Sequence, residues 1–237
     1  DENSVRKAIE EAKYLNQKLK NNLLIVRITR PTTVEIMDFI KSELKYFPTI
    51  NLIIDYSNKG FAKIIKEDSR KNNIGMIMLT SEMFKNKENT KSVMELKIPV
   101  FKFGKEKLKS IKRTVIVLND TNSYEQISPI VFDISSQLKV KTKIFDLDPI
   151  GEKEGKSNLL DHFENLAKIF NEKLEVVTSG ENPIRELKKQ RNMLQILPLK
   201  EDMFKKRFSF KFLYTNSDFI AFDMNKFNQL LIPIVEE

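Results

Sequence analysis

The 237-residue sequence contains no cysteine and no tryptophan, a single histidine and only six glycines. Without cysteine there can be no disulfide framework, no thiolate metal site and no thiol nucleophile, and the absence fits a reducing cytoplasm. His162 has neither a second histidine nor a cysteine to complete a zinc set or a catalytic triad, so it reads as an ordinary helical residue. No apolar stretch approaches the roughly 18 to 20 residues that cross a bilayer, and the start lacks the pattern of a signal peptide. A soluble, cytoplasmic chain is expected. It begins at Asp1 and not at methionine, which leads us to expect a processed product or a piece of a longer polypeptide.

What is present is a globular composition, 41% apolar and 31% charged, with a net charge of +8. The charge is uneven. Residues 1–104 hold 19 basic and 13 acidic residues, net +6, and the remaining 22 basic and 20 acidic residues give net +2. Such a surface attracts anionic lipid or an acidic partner. Because the lysines alternate with acids and no aromatic-plus-arginine surface emerges, nucleic acid is not an expected partner.

Apolar periodicity divides the chain into alternating helices and strands that recur at an offset of about 120 residues. In the first copy, helices are expected from Ser4 to Leu19, Thr32 to Phe47 and Phe61 to Asn72. Its strands are expected at Leu23 to Thr29, Ile50 to Ile54 and Ile74 to Leu79, the last apolar enough to be central in a parallel sheet. In the second copy, a strand at Thr114 to Leu118 precedes a turn at Asn119 to Ser123. Helices then span Tyr124 to Lys139, Asn158 to Lys173 and Ile184 to Met193, with strands at Val140 to Leu147, Leu174 to Thr178 and Leu194 to Leu199. Each copy closes on a proline-containing apolar run, Lys97 to Phe103 and Leu230 to Val235. Strands alternating with helices of this length imply a parallel sheet with helices on both faces. The domains are therefore 1–104 and 105–237, joined through the charged segment 105–113. The first copy lacks a leading strand, and the second carries a Phe-rich insertion at 201–226 with phenylalanines at 204, 208, 210, 212, 219 and 222. That insertion is too apolar for a loose loop and is expected to form a strand pair or a packed flap.

Val115-Ile116-Val117-Leu118-Asn119-Asp120, the run Leu194 to Leu199 and the closing run around Pro233 resemble a universal stress protein domain. The opening Asp1-Glu2-Asn3-Ser4 with Ala8, Glu10, Glu11 and Ala12, and the closing run around Pro99, resemble it again in the first copy. The resemblance implies two Rossmann-like, adenine nucleotide alpha hydrolase-like α/β sandwiches in tandem. Nucleotide-binding members of that family carry a glycine-rich phosphate loop after the fourth strand, because backbone amides approach phosphate only where side chains are absent. Here the segment from Thr80 to Val93 has no glycine, and none follows Gly180.

The residues left for a nucleotide are Asp120, where the family places an aspartate near adenine and ribose, and Ser81, Lys91 and Ser92 as a phosphate cradle. Asp120 reads more readily as a turn residue or a helix cap. Asp146, Asp148, Glu152 and Glu154 offer oxygen ligands, yet their spacing fits no known cation loop and Lys153 and Lys156 oppose binding, so no metal is expected. With no catalytic group visible, no enzyme and no cofactor are expected; ATP or AMP, weakly held, is the alternative.

Doubled stress-protein domains without the glycine loop resemble the cytoplasmic tails of monovalent cation:proton antiporters. The resemblance implies a regulatory domain at the inner face of the cell membrane, whose partners are the transmembrane transporter domain of the same polypeptide and a second copy as a homodimer. A free-standing tandem universal stress protein and a weak adenine-nucleotide sensor are the alternatives.

Overall fold

The computed structural model of the chain describes residues 2–19, 24–28, 33–45, 50–54, 60–80, 83–84, 86–118, 121–146, 153–178, 187–199 and 226–234. These fall into two compact units, Asp1–Ile74 and Gly75–Glu237.

The first unit runs α1 (Glu2–Lys18), β1 (Leu24–Ile28), α2 (Val34–Leu44), β2 (Ile50–Ile54) and α3 (Phe61–Lys71), and β1 pairs with β2 in parallel. Helix α1 buries Ile9, Ala12 and Leu15, the stripe that helical spacing sets on one face. Helix α2 begins where Thr33, extended at φ −63, accepts a hydrogen bond from the Ile36 amide at 3.4 Å. The two helices meet through the Arg6 guanidinium, 4.1 Å from the Phe39 ring centroid, and a 2.6 Å Lys13–Glu43 ion pair.

The second unit contains β3 (Ile77–Thr80), α4 (Lys87–Leu96), β4 (Val100–Phe103), a 3-10 turn (Leu108–Ser110), β5 (Arg113–Leu118), α5 (Thr121–Leu138), β6 (Lys141–Asp146), α6 (Lys153–Ile169), β7 (Glu175–Thr178), β8 (Met193–Leu199) and β9 (Asn228–Pro233). Its seven strands form one sheet in the order β3-β4-β9-β8-β5-β6-β7. All pairs are parallel except β4–β9, which is antiparallel with Val100 opposite Leu231. The strands before Gly104 thus share a sheet with those after it. Every residue of β8 is buried, as a strand flanked on both sides and covered on both faces must be. Helices α5 and α6 pack through Phe132, which stacks on Phe170 with centroids 5.7 Å apart and meets Phe163 at 6.1 Å. Phe132 and Phe163 are fully buried, each contributing about 1.5 to 3 kcal/mol.

Several sequence expectations shift. The run from Ile74 to Leu79 is not central among the described strands: β3 starts at Ile77 and stands at the end of the strand order, with Met78 and Thr80 half-exposed. The turn expected at Asn119 to Ser123 is already helical from Thr121, because α5 begins almost directly off β5. The helix expected to reach Met193 ends by Lys189, since Met193 is the first residue of β8. Helix α6 starts at Lys153 and stops at Ile169, where Asn171 takes a left-handed conformation (φ 53) and its neighbour Glu172 donates its amide to the Ala167 carbonyl at 2.8 Å. The Phe-rich insertion lies outside the described residues except for Lys226.

The joint at 105–113 is bound closely to the sheet. Asn228, fully buried, accepts from the Gly104 amide at 2.9 Å and donates to the Glu106 carbonyl at 3.0 Å, while the Glu106 carboxylate accepts from the Asn192 amide at 2.8 Å. Leu108 in the 3-10 turn is buried.

At the amino ends of β5 and β6 a cluster of hydroxyls is closed by a carboxylate. Thr114 and Ser135 are 2.6 Å apart, Thr142 lies 3.0 Å from Ser135, and Thr142 donates to Glu172 at 3.0 Å. Burial raises the Glu172 carboxyl above its ordinary 4.5, opposed by the Thr142 hydroxyl. A group whose folded-state pKa is raised stabilises the fold below 4.5 and loses that contribution as pH climbs through the folded-state value. Urea midpoints measured from pH 4 to pH 7 should therefore decline for the native chain relative to Glu172→Gln, whose amide bears no charge at either end of the range. A constant gap between the two proteins would refute the linkage.

Candidate functional site

In a doubly wound sheet the crevice for ligands opens where consecutive strands depart to opposite sides. Here that point lies between β5 and β8: from β5 the chain winds outward through β6 and β7 and then returns to the other side of β5 as β8. The described walls are the carboxyl ends of β5, β6, β7 and β8. Asp120 and the loops 147–152, 179–186 and 200–225 lie outside the described residues. Tyr124, in the first turn of α5 and fully buried, donates its phenol to the Val117 carbonyl near the end of β5.

A second candidate is the segment after β3, which carries Ser81, Lys91 and Ser92. Ser81 lies outside the described residues, Lys91 is exposed on α4, and Ser92 is buried. The Ser92 hydroxyl donates to the Glu88 carbonyl one turn earlier at 2.7 Å, a bond internal to the helix. The approach to α4 is held together by side chains. Asn86 accepts from the Glu88 amide at 2.9 Å and from the Asn89 amide at 3.4 Å, Asn89 donates to the Met83 carbonyl at 3.0 Å, and Thr90 donates to the buried Phe84 carbonyl at 2.7 Å. The amides that a phosphate would receive at a helix start are taken by Asn86. The sequence pattern missed this cap; an asparagine followed three residues later by a polar residue was its visible signal.

The topology also keeps the two candidates apart. Strand β3 runs against β5, because the antiparallel β4–β9 junction lies between them, so Thr80 and Leu118 end at opposite edges of the sheet. They are separated by four strand spacings, roughly 19 Å. The described ends of β3 and β5 therefore lie apart.

His162 has a partner that spacing alone does not reveal. Its Nε2 lies 2.8 Å from the hydroxyl of Ser128, which is fully buried on α5. Pro129 sits inside that helix and has no N–H to give the Glu125 carbonyl four residues back. The Ser128 hydroxyl donates to that carbonyl instead, at 2.9 Å. Its single proton is thereby committed, so the imidazole must be the donor to Ser128. A serine and histidine arranged this way repair a helix and do not form a nucleophile–base pair. Ser128→Ala leaves both the Glu125 carbonyl and the imidazole N–H without this partner; a loss of about 1 to 3 kcal/mol in chemical unfolding is expected.

Among the described residues no group of three histidine or acidic side chains is placed to hold a metal ion, and no helix is long and apolar enough to cross a membrane.

No family model matches the sequence, and no curated protein matches it. Solved structures do. A putative universal stress protein from Pseudomonas aeruginosa UCBPP-PA14 matches with a TM-score of 0.55 at 12% identity, over 89% of this chain and 81% of that one. A functionally unknown protein from Pseudomonas aeruginosa PAO1 matches with a TM-score of 0.55 at 10% identity, over 89% and 81% of the two chains. A universal stress protein from Archaeoglobus fulgidus DSM 4304 matches with a TM-score of 0.51 at 9% identity, over 89% and 84%. The chain therefore has the α/β fold of universal stress proteins, with a mixed, mostly parallel seven-stranded sheet.

Proposed function

We propose that this chain is a non-catalytic regulatory or interaction scaffold on the stress-protein fold, in which side chains have taken over the phosphate-binding element. The observation that carries the reading is the start of α4, where Asn86 caps the amides that a nucleotide phosphate would need. The absence of glycine from Thr80 to Val93 supports it. The β4–β9 junction, two closing strands meeting antiparallel, supports a tandem organisation of 1–104 and 105–237 joined through those strands.

Within that reading, the narrower assignment is the cytoplasmic regulatory tail of a monovalent cation:proton antiporter, held near the inner face of the membrane, with the transporter domain and a second copy as partners. Its support is the capped phosphate element together with the net +6 of residues 1–104, a charge drawn to anionic lipid. A free-standing tandem universal stress protein is the second reading, favoured by the structural likeness to two universal stress proteins.

Titration calorimetry with ATP and AMP tests the shared premise. No heat of binding is expected up to millimolar nucleotide. A saturable isotherm would instead mark an adenine-nucleotide sensor acting through Asp120, or through Ser81, Lys91 and Ser92, and would overturn the proposal. Co-sedimentation with phosphatidylserine vesicles separates the narrower readings: a membrane-facing tail binds at low salt and releases as salt rises, whereas a free-standing protein stays in the supernatant.

A further inference from the structure

The outer edge of β3 carries backbone groups that point away from the sheet. Ile77 donates its amide to the Pro99 carbonyl at 2.9 Å, which directs Ile77 and Leu79 toward β4. By the alternation of a parallel ladder, Met78 and Thr80 then direct their N–H and C=O groups outward. No strand pairs with that edge among the described residues. Edges are ordinarily protected by charge, proline or a bulge. This one reads Ile77-Met78-Leu79-Thr80 without a charge, and Ile77 and Leu79 are buried at 8% and 4% exposure.

The sheet itself indicates what fits there. Strands β3 and β8 lie one place out from the β4–β9 junction on either side, each parallel to its inner neighbour. The place outside β8 is held by β5, paired in parallel from Arg113 opposite Met193 to Ile116 opposite Ile196. The place outside β3 is its counterpart. We propose that the β3 edge is a docking site for an extended, apolar, β-branched peptide segment that adds in parallel to the sheet, with the chemistry of Thr114-Val115-Ile116-Val117. Main-chain bonds to Met78 and Thr80 hold the segment, and its alternate side chains extend the apolar face begun by Ile77 and Leu79. A second copy of the chain is a poorer occupant, because a two-fold axis would bring two β3 edges together antiparallel, whereas the counterpart place outside β8 holds a parallel strand. The inference rests on the connectivity of the sheet and not on the regulatory reading.

The probe is a synthetic peptide with the sequence of residues 113–118 between terminal lysines, added to the intact chain while amide exchange is followed by NMR. At a peptide concentration ten times its Kd, exchange at Met78 and Thr80 is expected to slow about tenfold. Two further peptides, N-methylated at alternate residues in the two complementary registers, distinguish strand addition from apolar adhesion. One register should abolish the protection and the other preserve it. No slowing at millimolar peptide, equal slowing with both methylated peptides, or light scattering that shows a dimer closed through this edge would each overturn the proposal.

Discussion

Gly104→Ala is expected to destabilise the second unit by about 3 to 5 kcal/mol, in the range reserved for substitutions that break a specific structural requirement. A Cβ at Gly104 would stand 2.1 Å from the Phe227 carbonyl oxygen, 2.2 Å from its carbon and 2.7 Å from the Asn228 nitrogen. All three are main-chain atoms, so no side chain can rotate aside. The requirement is proximity and not an unusual dihedral, since no glycine in the described chain has positive φ. Relief would need the 104–106 segment to move away from β9. That motion would stretch the bond from the Gly104 amide to Asn228 and those from the Lys105 and Glu106 amides to the Lys226 carbonyl, at 3.0 and 3.1 Å. For a chain of this size, thermal denaturation should show a midpoint lower by on the order of 10 °C. A change of less than about 1 kcal/mol would mean the close approach is not a feature of the folded protein.

Gln229→Leu should be nearly as damaging, by about 2 to 4 kcal/mol, because it withdraws a buried partner from a buried charge. Lys102, 3% exposed on β4, donates its ammonium to the Gln229 side-chain oxygen at 2.9 Å. The Gln229 amide nitrogen in turn donates to the Gln195 oxygen on β8 at 2.7 Å. The three lie side by side across the sheet, Lys102 opposite Gln229 and Gln229 opposite Gln195. If the penalty comes from the ammonium's loss of this bond, Lys102→Met introduced alongside Gln229→Leu should recover at least about 1 kcal/mol in a double-mutant cycle. Strict additivity of the two substitutions would refute the coupling. A polar row of this kind also fixes register: a slip of one residue between β4 and β9 in one direction would place Lys102 against Leu230, and in either direction would break the Lys102–Gln229–Gln195 row.

The alternation of helices and strands was legible because each element carries its own period. β2 begins and ends where its apolar run does, and β5 differs by a single residue, Arg113. Position within the sheet was not. Ile74 to Leu79 looks like a central strand from its unbroken hydrophobicity, yet centrality depends on a neighbour that no local pattern encodes, and β3 is at an edge among the described strands. The helix expected from Ile184 to Met193 shows the opposite failure. Its end was overridden by the pairing of Met193 with Arg113. At the candidate sites, the missing glycines were plain in the sequence, whereas the Asn86 cap depends on a local backbone path. The Ser128–Pro129–His162 arrangement was invisible for another reason: it joins residues 34 apart across two helices. Spacing along the chain carries no record of such a contact.

The order of the strands bears on how the protein matures. Among the described strands β9 is made after all the others, yet it occupies the third place of seven, between β4 and β8. A nascent chain with everything up to Leu199 already exposed would still hold β4 and β8 as open edges, because the piece that joins them has not been made. Their union waits for residues more than a hundred positions downstream of β4, a long-range closure of the sort that slows folding and leaves sticky intermediates. Clipping a handful of residues from the carboxyl-terminal side of Lys226 would therefore split the sheet through its middle instead of trimming its rim.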